Sequence, residues 1–364
     1  MMRPTHGRRI ALAAGLAAAL AMAGPASAQV SFEGETIEWI IPFSPGGGSD
    51  TWARFNAPFF TKYLPGNPTV VVVNEPGGGS TKGTNLFAAR ADPDGLTILG
   101  TSGSTQFPYL LGDPRVRYEY QDWEVVMASP TGGVVYVSPD TGVEGPEEIA
   151  ELKGQELTYA SQGATSLDLV PLLAFDFLGL DVKHVFGFKG RGDGRLAFER
   201  GETNIDYQTS SAYLKNVQPL VDAGEAVPLF SWGAVDEDGN VIRDPTFPDL
   251  PSFPEAYEMA TGEAPSGEMY DAYTAFFIAG FPAQKMVFLP EGTPQEIVDA
   301  YQEAVEQMKG DPEYQANKEA VLGTYEQVTG RAAQTLFEKG TTIRPELREV
   351  VTQMLEEEYN VRVN

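Results

Sequence analysis

The 364 residues carry 51 Asp and Glu against 25 Lys and Arg, a formal net charge of -26, and so acidic a chain argues against nucleic acid or anionic lipid as a partner. Cysteine is absent, which removes disulfides, thiolate nucleophiles and Cys-bound metals, and His6 and His184 are the only imidazoles. With 42% hydrophobic residues, the length supports a full core and two domains.

Arg3, Arg8 and Arg9 precede an apolar run over 10–23 and then Ala26-Ser27-Ala28, the pattern of a secretory signal cleaved after Ala28. Residues 1–28 thus read as a signal peptide and the rest as a periplasmic protein, exported by the general or the twin-arginine route. The run is too short to span a membrane, and no later stretch of about 20 apolar residues follows. Cleavage takes away three arginines, His6 and no acidic residue, so the net charge moves from -26 to -29.

A first strand is expected over 36–43, running into Ser44-Pro45-Gly46-Gly47-Gly48 and a helix over 49–64 capped by Ser49 or Asp50. Successive glycines let a backbone approach a ligand closely, and the first N–H groups of a helix have no internal partner, so this is an anion site in outline or a slack surface turn. It lacks the Lys-Ser/Thr ending of a P-loop. Pro58 should kink or shorten the helix. The β-branched run over 69–73 predicts a strand buried on both faces. It enters a second glycine loop, Gly77-Gly78-Gly79, and a helix over 81–90. A strand over 96–100 then ends in Thr101-Ser102-Gly103-Ser104-Thr105. Strands alternating with helices imply an α/β protein with parallel sheets, whose ligands gather at the carboxyl ends of the strands.

Strands over 123–128 and 134–137 flank a crossover at 130–133 into a second α/β domain. There a short helix over 146–153 and a strand over 157–160 lead into Ser161-Gln162-Gly163-Ala164-Thr165-Ser166. A helix to about 180 follows, with Ser166 as its cap and Asp168 in its first turn. The strand 182–188 ends in Lys189-Gly190-Arg191-Gly192-Asp193-Gly194 and a helix to 200; Lys189, Arg191 and Arg195 read as a solvated helix start, with the pairing of a second ligand carboxylate as the alternative. Strands over 203–208 and 227–232 enclose a helix over 212–223, and 233–254 is a long irregular connection. After the apolar, aromatic 269–280 come a strand over 286–289 and helices over 294–308, 312–322, 331–339 and 345–359. His184 lies in an alternating strand pattern and reads as structural rather than catalytic.

Seven segments in order resemble the substrate-binding proteins of tripartite tricarboxylate transporters, the Bug-type periplasmic receptors. They are Ile41 through Asp50 with Ala53-Arg54, Val72 through Gly79, Ala91 through Leu99, Tyr159 through Ser166, Phe188-Lys189-Gly190, Phe247 through Ser252, and Pro290 through Pro294. The resemblance implies a two-lobed periplasmic-binding-protein fold of type II, the Venus flytrap, each lobe a mostly parallel sheet flanked by helices. Lobe 1 would take 29–131 plus 258–364, and lobe 2 would take 132–257. A small organic carboxylate would lie between them, and membrane components of the transporter would be the macromolecular partner of a monomeric receptor. Carried over, the ligand-binding residues are Phe43, Ser44, Pro45, Gly47, Gly48, Ser49 and Asp50 from the first loop. Ser102 and Ser104 join them from the third strand, and Ser161, Gly163, Ala164, Thr165 and Ser166 from the second-domain loop. Asp206 matches an acidic position facing the cleft. Asp50 is expected to hold its helix start rather than touch a charged ligand end.

Where the family often carries a histidine, this chain has Leu167-Asp168-Leu169, and the usual His-Val-Pro-Tyr-Lys-Gly is His184-Val185-Phe186-Gly187-Phe188-Lys189-Gly190; these departures leave the ligand open. No catalytic residue, metal or cofactor is implied. Two alternatives stand beside the transport receptor: a secreted serine hydrolase using Ser49 or Ser104 with His184, for which no G-x-S-x-G elbow exists, and a sensor built on the same fold.

Overall fold

A computed structural model describes Met1 and residues 30–236 and 240–363. The signal segment and its cleavage point lie outside the described residues. Residues 32–364 form one compact unit.

Strand β1 (Thr36–Ile41) uses both faces. Trp39 packs edge-on against Trp52 and Phe60, with ring centroids 5.2 and 5.3 Å apart. Ile40 faces the other way, into a cluster with Leu99, Trp123, Phe288 and Phe337. Both tryptophan partners come from helix α1 (Gly48–Tyr63), which runs unbroken past Pro58. Pro58 lies on the exposed face, where water can reach the carbonyl that its missing N–H leaves unpaired. Phe55, Phe59 and Tyr314 pack together at 5.2 to 5.6 Å, and with Phe60 they anchor α1 on either side of it. Strand β2 (Thr69–Asn74) is an edge strand with Val71 41% exposed, contrary to the expectation from its β-branched run. Edge placement leaves one side of the ladder open. Helix α2 (Thr81–Arg90), strand β3 (Thr97–Gly100), helix α3 (Gly103–Leu111) and strand β4 (Glu124–Ser129) complete the first pass.

The second lobe comprises β5 (Gly133–Val137), β6 (Leu157–Ser161), helix α4 (Leu169–Phe177), β7 (Val182–Phe186), helix α5 (Arg191–Glu199), β8 (Ile205–Thr209) and β9 (Val227–Ser231). A helical run from Ser210 to Asp222, with a π turn over Tyr213–Val217, joins β8 to β9. The connection after β9 contains a short hairpin of β10 (Ala234–Val235) and β11 (Val241–Ile242). Helices α6 (Phe253–Thr261) and α7 (Glu268–Gly280) lead to strand β12 (Lys285–Leu289) and helices α8 (Gln295–Lys309), α9 (Gly330–Gly340) and α10 (Pro345–Tyr359).

The first sheet has the order β2-β1-β3-β12-β4, and the second lobe has β8-β5-β9 beside the pair β6-β7. Parallel pairing holds for β1 with β2 and β3 and for β6 with β7, whereas β12, β5 and their neighbours pair antiparallel. The antiparallel strands are those flanking the crossovers. Asn204 N–H reaches Thr158 O at 3.1 Å, bridging β6 to the approach of β8. The second lobe's core also takes in Phe276 and Phe277 of α7 and Leu347, Val351 and Leu355 of α10, so the C-terminal helices expected in lobe 1 are shared between lobes.

Residues 129–133 link β4 of the first sheet to β5 of the second, 280–285 lead from α7 into β12 of the first, and the two segments touch: Thr131 N–H donates to Phe281 O at 3.2 Å. Parallel registration sets Ile41 beside Asn74 and Ser161 beside Phe186, so each lobe delivers its loops to one edge. Those edges face each other.

Candidate functional site

The first glycine loop meets the second lobe backbone to backbone. A β-carbon on Gly192 would lie 2.7 Å from Pro45 O and 2.8 Å from Gly47 N, and one on Gly190 would lie 2.9 Å from Ser44 N. Real β-carbons do not approach that closely, so glycine at 190 and 192 is what lets the loops touch. Ser44 Oγ donates to Asp193 Oδ2 at 2.7 Å across the junction. The loop over 189–194 is therefore the direct partner of the first glycine loop. The loop over 161–166 instead faces the second glycine loop, with Ser166 Cβ 3.7 Å from the Gly79 position.

Asp50 stays out of the cleft. Helix α1 begins at Gly48 with Gly47 as its cap position and no side-chain cap, so neither Ser49 nor Asp50 caps it. The Asp50 carboxylate reaches back instead, accepting from Gly46 N–H at 2.9 Å, Arg54 Nε at 2.9 Å and Asn74 Nδ2 at 3.0 Å. Those bonds brace the loop, whose Gly46 adopts φ of 79°.

Ser102 caps α3, accepting from Ser104 N–H at 3.1 Å, with Thr105 completing a capping box. Ser104 Oγ crosses the cleft to accept from Leu167 N–H at 3.1 Å. On the opposite wall Ser161 Oγ accepts from Gly163 N–H, Ser166 Oγ donates to Gly163 O, and Thr165 Oγ1 donates to Asp113 Oδ2. Ser166 is not the cap of α4, which starts at Leu169. The side chain of Gln162 leaves its Nε2 buried without a partner among the described residues.

Arg191 is the residue that the sequence reading misplaced. It is only 7% exposed, its guanidinium lies 4.8 Å from the ring centroids of both Tyr159 and Tyr207, and it pairs with Asp168 and Asp206. Asp206 is accordingly engaged: it accepts from Arg191, from Tyr136 OH at 2.6 Å and from Gln208 Nε2 at 3.0 Å, and does not open to the cleft. Asp168 accepts from Gln162 N–H at 2.7 Å and Tyr207 OH at 3.2 Å. A fork of fixed donors between two carboxylates locks the start of α5, and with it Gly190 and Gly192, against the sheet. The signal was the run Gly190-Arg191-Gly192-Asp193-Gly194, another strand, glycine and helix unit.

Phe43, Gly47, Gly48, Ser49, Ser102 and Ser104 line one wall of a residual cleft, and Gln162, Leu167, Arg191, Thr209 and Gln284 line the rest. Thr209, the last residue of β8, and Gln284, just before β12, escaped the sequence reading because neither has a motif around it. Its volume is about 20 Å³, room for one water, so the lobes are shut on each other. A wider cavity of about 590 Å³ adjoins it, reached past Gln162 and lined by Gly163, Ala164, Thr165, Arg115, Phe186 and Lys189 among others.

His184 packs among Tyr159, Phe175, Phe186 and Tyr359, with ring centroids 5.5 to 6.4 Å away. Burial pushes its imidazole down to about 4, and no serine contacts it among the described residues. Among those residues no cluster of three His, Asp or Glu side chains is disposed to hold a metal, and no helix is long and apolar enough to cross a membrane.

The tripartite tricarboxylate transporter family receptor matches residues 59–269. A UPF0065 protein of Bordetella pertussis is 29% identical over 287 residues, covering 77% of this chain and 78% of the relative. Among solved structures, the periplasmic binding protein BugD superposes with a TM-score of 0.67 at 20% identity, covering 88% of this chain and 98% of that one. MatC of Rhodopseudomonas palustris, solved with bound malate, gives 0.64 at 21% identity over 88% of this chain and 100% of its own.

Proposed function

Since the chain belongs to the tripartite tricarboxylate transporter receptor family, whose members are solute-binding receptors, we propose that it closes its two lobes over a small organic carboxylate in the periplasm and delivers it to a tripartite-type membrane transporter. One observation carries this reading. Helices α1 and α5 start from glycine loops that face each other across the lobe junction, and neither helix start has a side-chain cap, so two positive helix ends lie close together. Converging dipole ends favour an anion, and a locally built site is what a protein of net charge -26 needs to hold one against its own field. The bound malate of MatC is in keeping with a carboxylate. Ser44, Ser49, Ser102 and Ser104 would add hydroxyls from the first lobe, while Gln162 and the loop over 163–166 would close from the second.

A thermal-shift screen of di-, tri- and aromatic carboxylates tests this. A carboxylate at about 100 times its dissociation constant should add about 2.7 kcal/mol of stability. Shifts with a sugar or a divalent metal but with no carboxylate would overturn the reading.

A further inference from the structure

Resting on the carboxylate-receptor reading, we infer that Lys285 is the positive charge that the cleft supplies to its bound anion. Lys285 opens β12 directly after the crossover at 280–285 and is 1% exposed. Its ammonium donates to Gln284 Oε1 at 2.7 Å and lies 3.4 Å from Thr209 Oγ1, both neutral. No carboxylate pairs with it among the described residues. The other deeply buried cation, Arg191, is held between Asp168 and Asp206. A desolvated ammonium without a counter-charge is unfavourable, and its surroundings sharpen the problem.

A β-carbon on Gly48 would lie 3.5 Å from the Lys285 nitrogen, so the ammonium sits against the first residue of α1. The N–H end of a 16-residue helix carries partial positive charge, which adds to the ammonium rather than opposing it. Burial pushes the ammonium down to about 7, with no neighbouring charge acting to raise it. Two positive features converge on one spot; among the described residues no carboxylate pairs with the ammonium, and Asp50 in the first turn of α1 is spent on Gly46, Arg54 and Asn74.

That spot adjoins the cleft. Gly48, Thr209 and Gln284 surround the ammonium, and all three line the residual volume between the lobes. Because Gly48 has no side chain, a ligand oxygen entering as the lobes part would meet the start of α1, the Thr209 hydroxyl and the ammonium together. The same position bars substitution, since a β-carbon there would collide with Thr209 Oγ1. An anionic ligand gains from this arrangement; a sugar or a metal cation does not.

Calorimetry with malate, adipate and benzoate on wild type, Lys285→Met and Lys285→Gln tests the inference. Both variants should lose at least 30-fold in affinity for whichever of the three binds wild type tightest. The ligand-free melting temperature of at least one should hold or rise, because an unanswered buried charge has gone. Affinity within threefold of wild type in a folded variant would overturn the role of Lys285 and leave the receptor reading intact, whether or not the melting temperature falls. Failure of all three compounds to bind wild type would overturn the carboxylate reading itself, and the inference with it.

Discussion

At the scale of single residues, the charged groups near the loops divide by what their hydrogen bonds are spent on. Asp50 has three donors, all within the first lobe, and none belongs to the opposite wall. Asp50→Asn removes the charge and trades one acceptor for a donor facing Gly46 N–H or Arg54. The expected result is a loss of about 1–2 kcal/mol of stability in denaturant melts, with carboxylate affinity within threefold of wild type. A larger effect on affinity than on stability would contradict this role. His184 makes a second case, through protons. Its folded value of about 4 lies below the ordinary 6.5 because burial disfavours the imidazolium, with Asp168 opposing weakly. Between those values the unfolded chain binds the proton that the folded one refuses. The contribution of His184 is therefore complete above pH 6.5 and is lost as pH falls toward 4, by at most about 3 kcal/mol. Comparing wild type with His184→Gln at pH 7.5 and 4.5 isolates it: wild type should lose more stability on acidification, and equal losses would count against the assignment.

At the scale of elements, the glycine pairs decide whether the loops can meet. Gly192→Ala keeps a permitted backbone and adds a methyl 2.7 Å from Pro45 O and 2.8 Å from Gly47 N, where backbone cannot give way. Affinity for the best carboxylate should fall at least tenfold, and X-ray scattering should show a ligand-free particle more open than wild type. Unchanged affinity would mean that the two loops need not touch in the bound state. The strand, glycine and helix units were legible in the sequence because each breaks an apolar strand pattern with small residues before a 3.6 pattern begins. What could not be read was which loop faces which. The pairing of the first loop with 189–194 rather than 161–166 depends on strand order in the second lobe, and adjacency in that sheet leaves no local trace. Arg191 and Lys285 were hidden for a related reason. A basic residue at a helix start, or at the first position of a strand, ordinarily points to water; Arg191 is instead buried within its own lobe between Tyr159, Tyr207, Asp168 and Asp206, and Lys285 at the junction between Thr209 and Gly48. The edge position of β2 was masked in the same way, since Val-Val-Val-Val suits a covered strand and a half-covered one alike.

At the scale of the whole molecule, two opposing electrostatic effects compete, and their sizes decide the response to salt. Ion pairs with both partners exposed, such as Arg200 with Glu202 and Arg243 with Glu255, contribute about 0–1 kcal/mol each. Against them stands an excess of 26 negative charges, rising to 29 if residues 1–28 are removed. Spread over a surface of 16992 Å², that excess repels itself through water over about 10 Å at 0.1 M salt and only about 3 Å at 1 M. Screening weakens the few attractions and the many repulsions together, and the repulsions are the larger set. The same repulsion acts between the lobes, although at their junction Asp193 and Asp113 each accept a hydrogen bond from a hydroxyl of the opposite lobe, Ser44 and Thr165. Sodium chloride between 0.05 and 1 M should therefore raise the melting temperature and shift ligand-free scattering toward the closed particle. A neutral solute at matched osmolality should do neither. A melting temperature that stays flat or falls across that range would show that the acidic surface is already balanced locally, through pairs and solvation, and that closure is governed by the loop contacts alone.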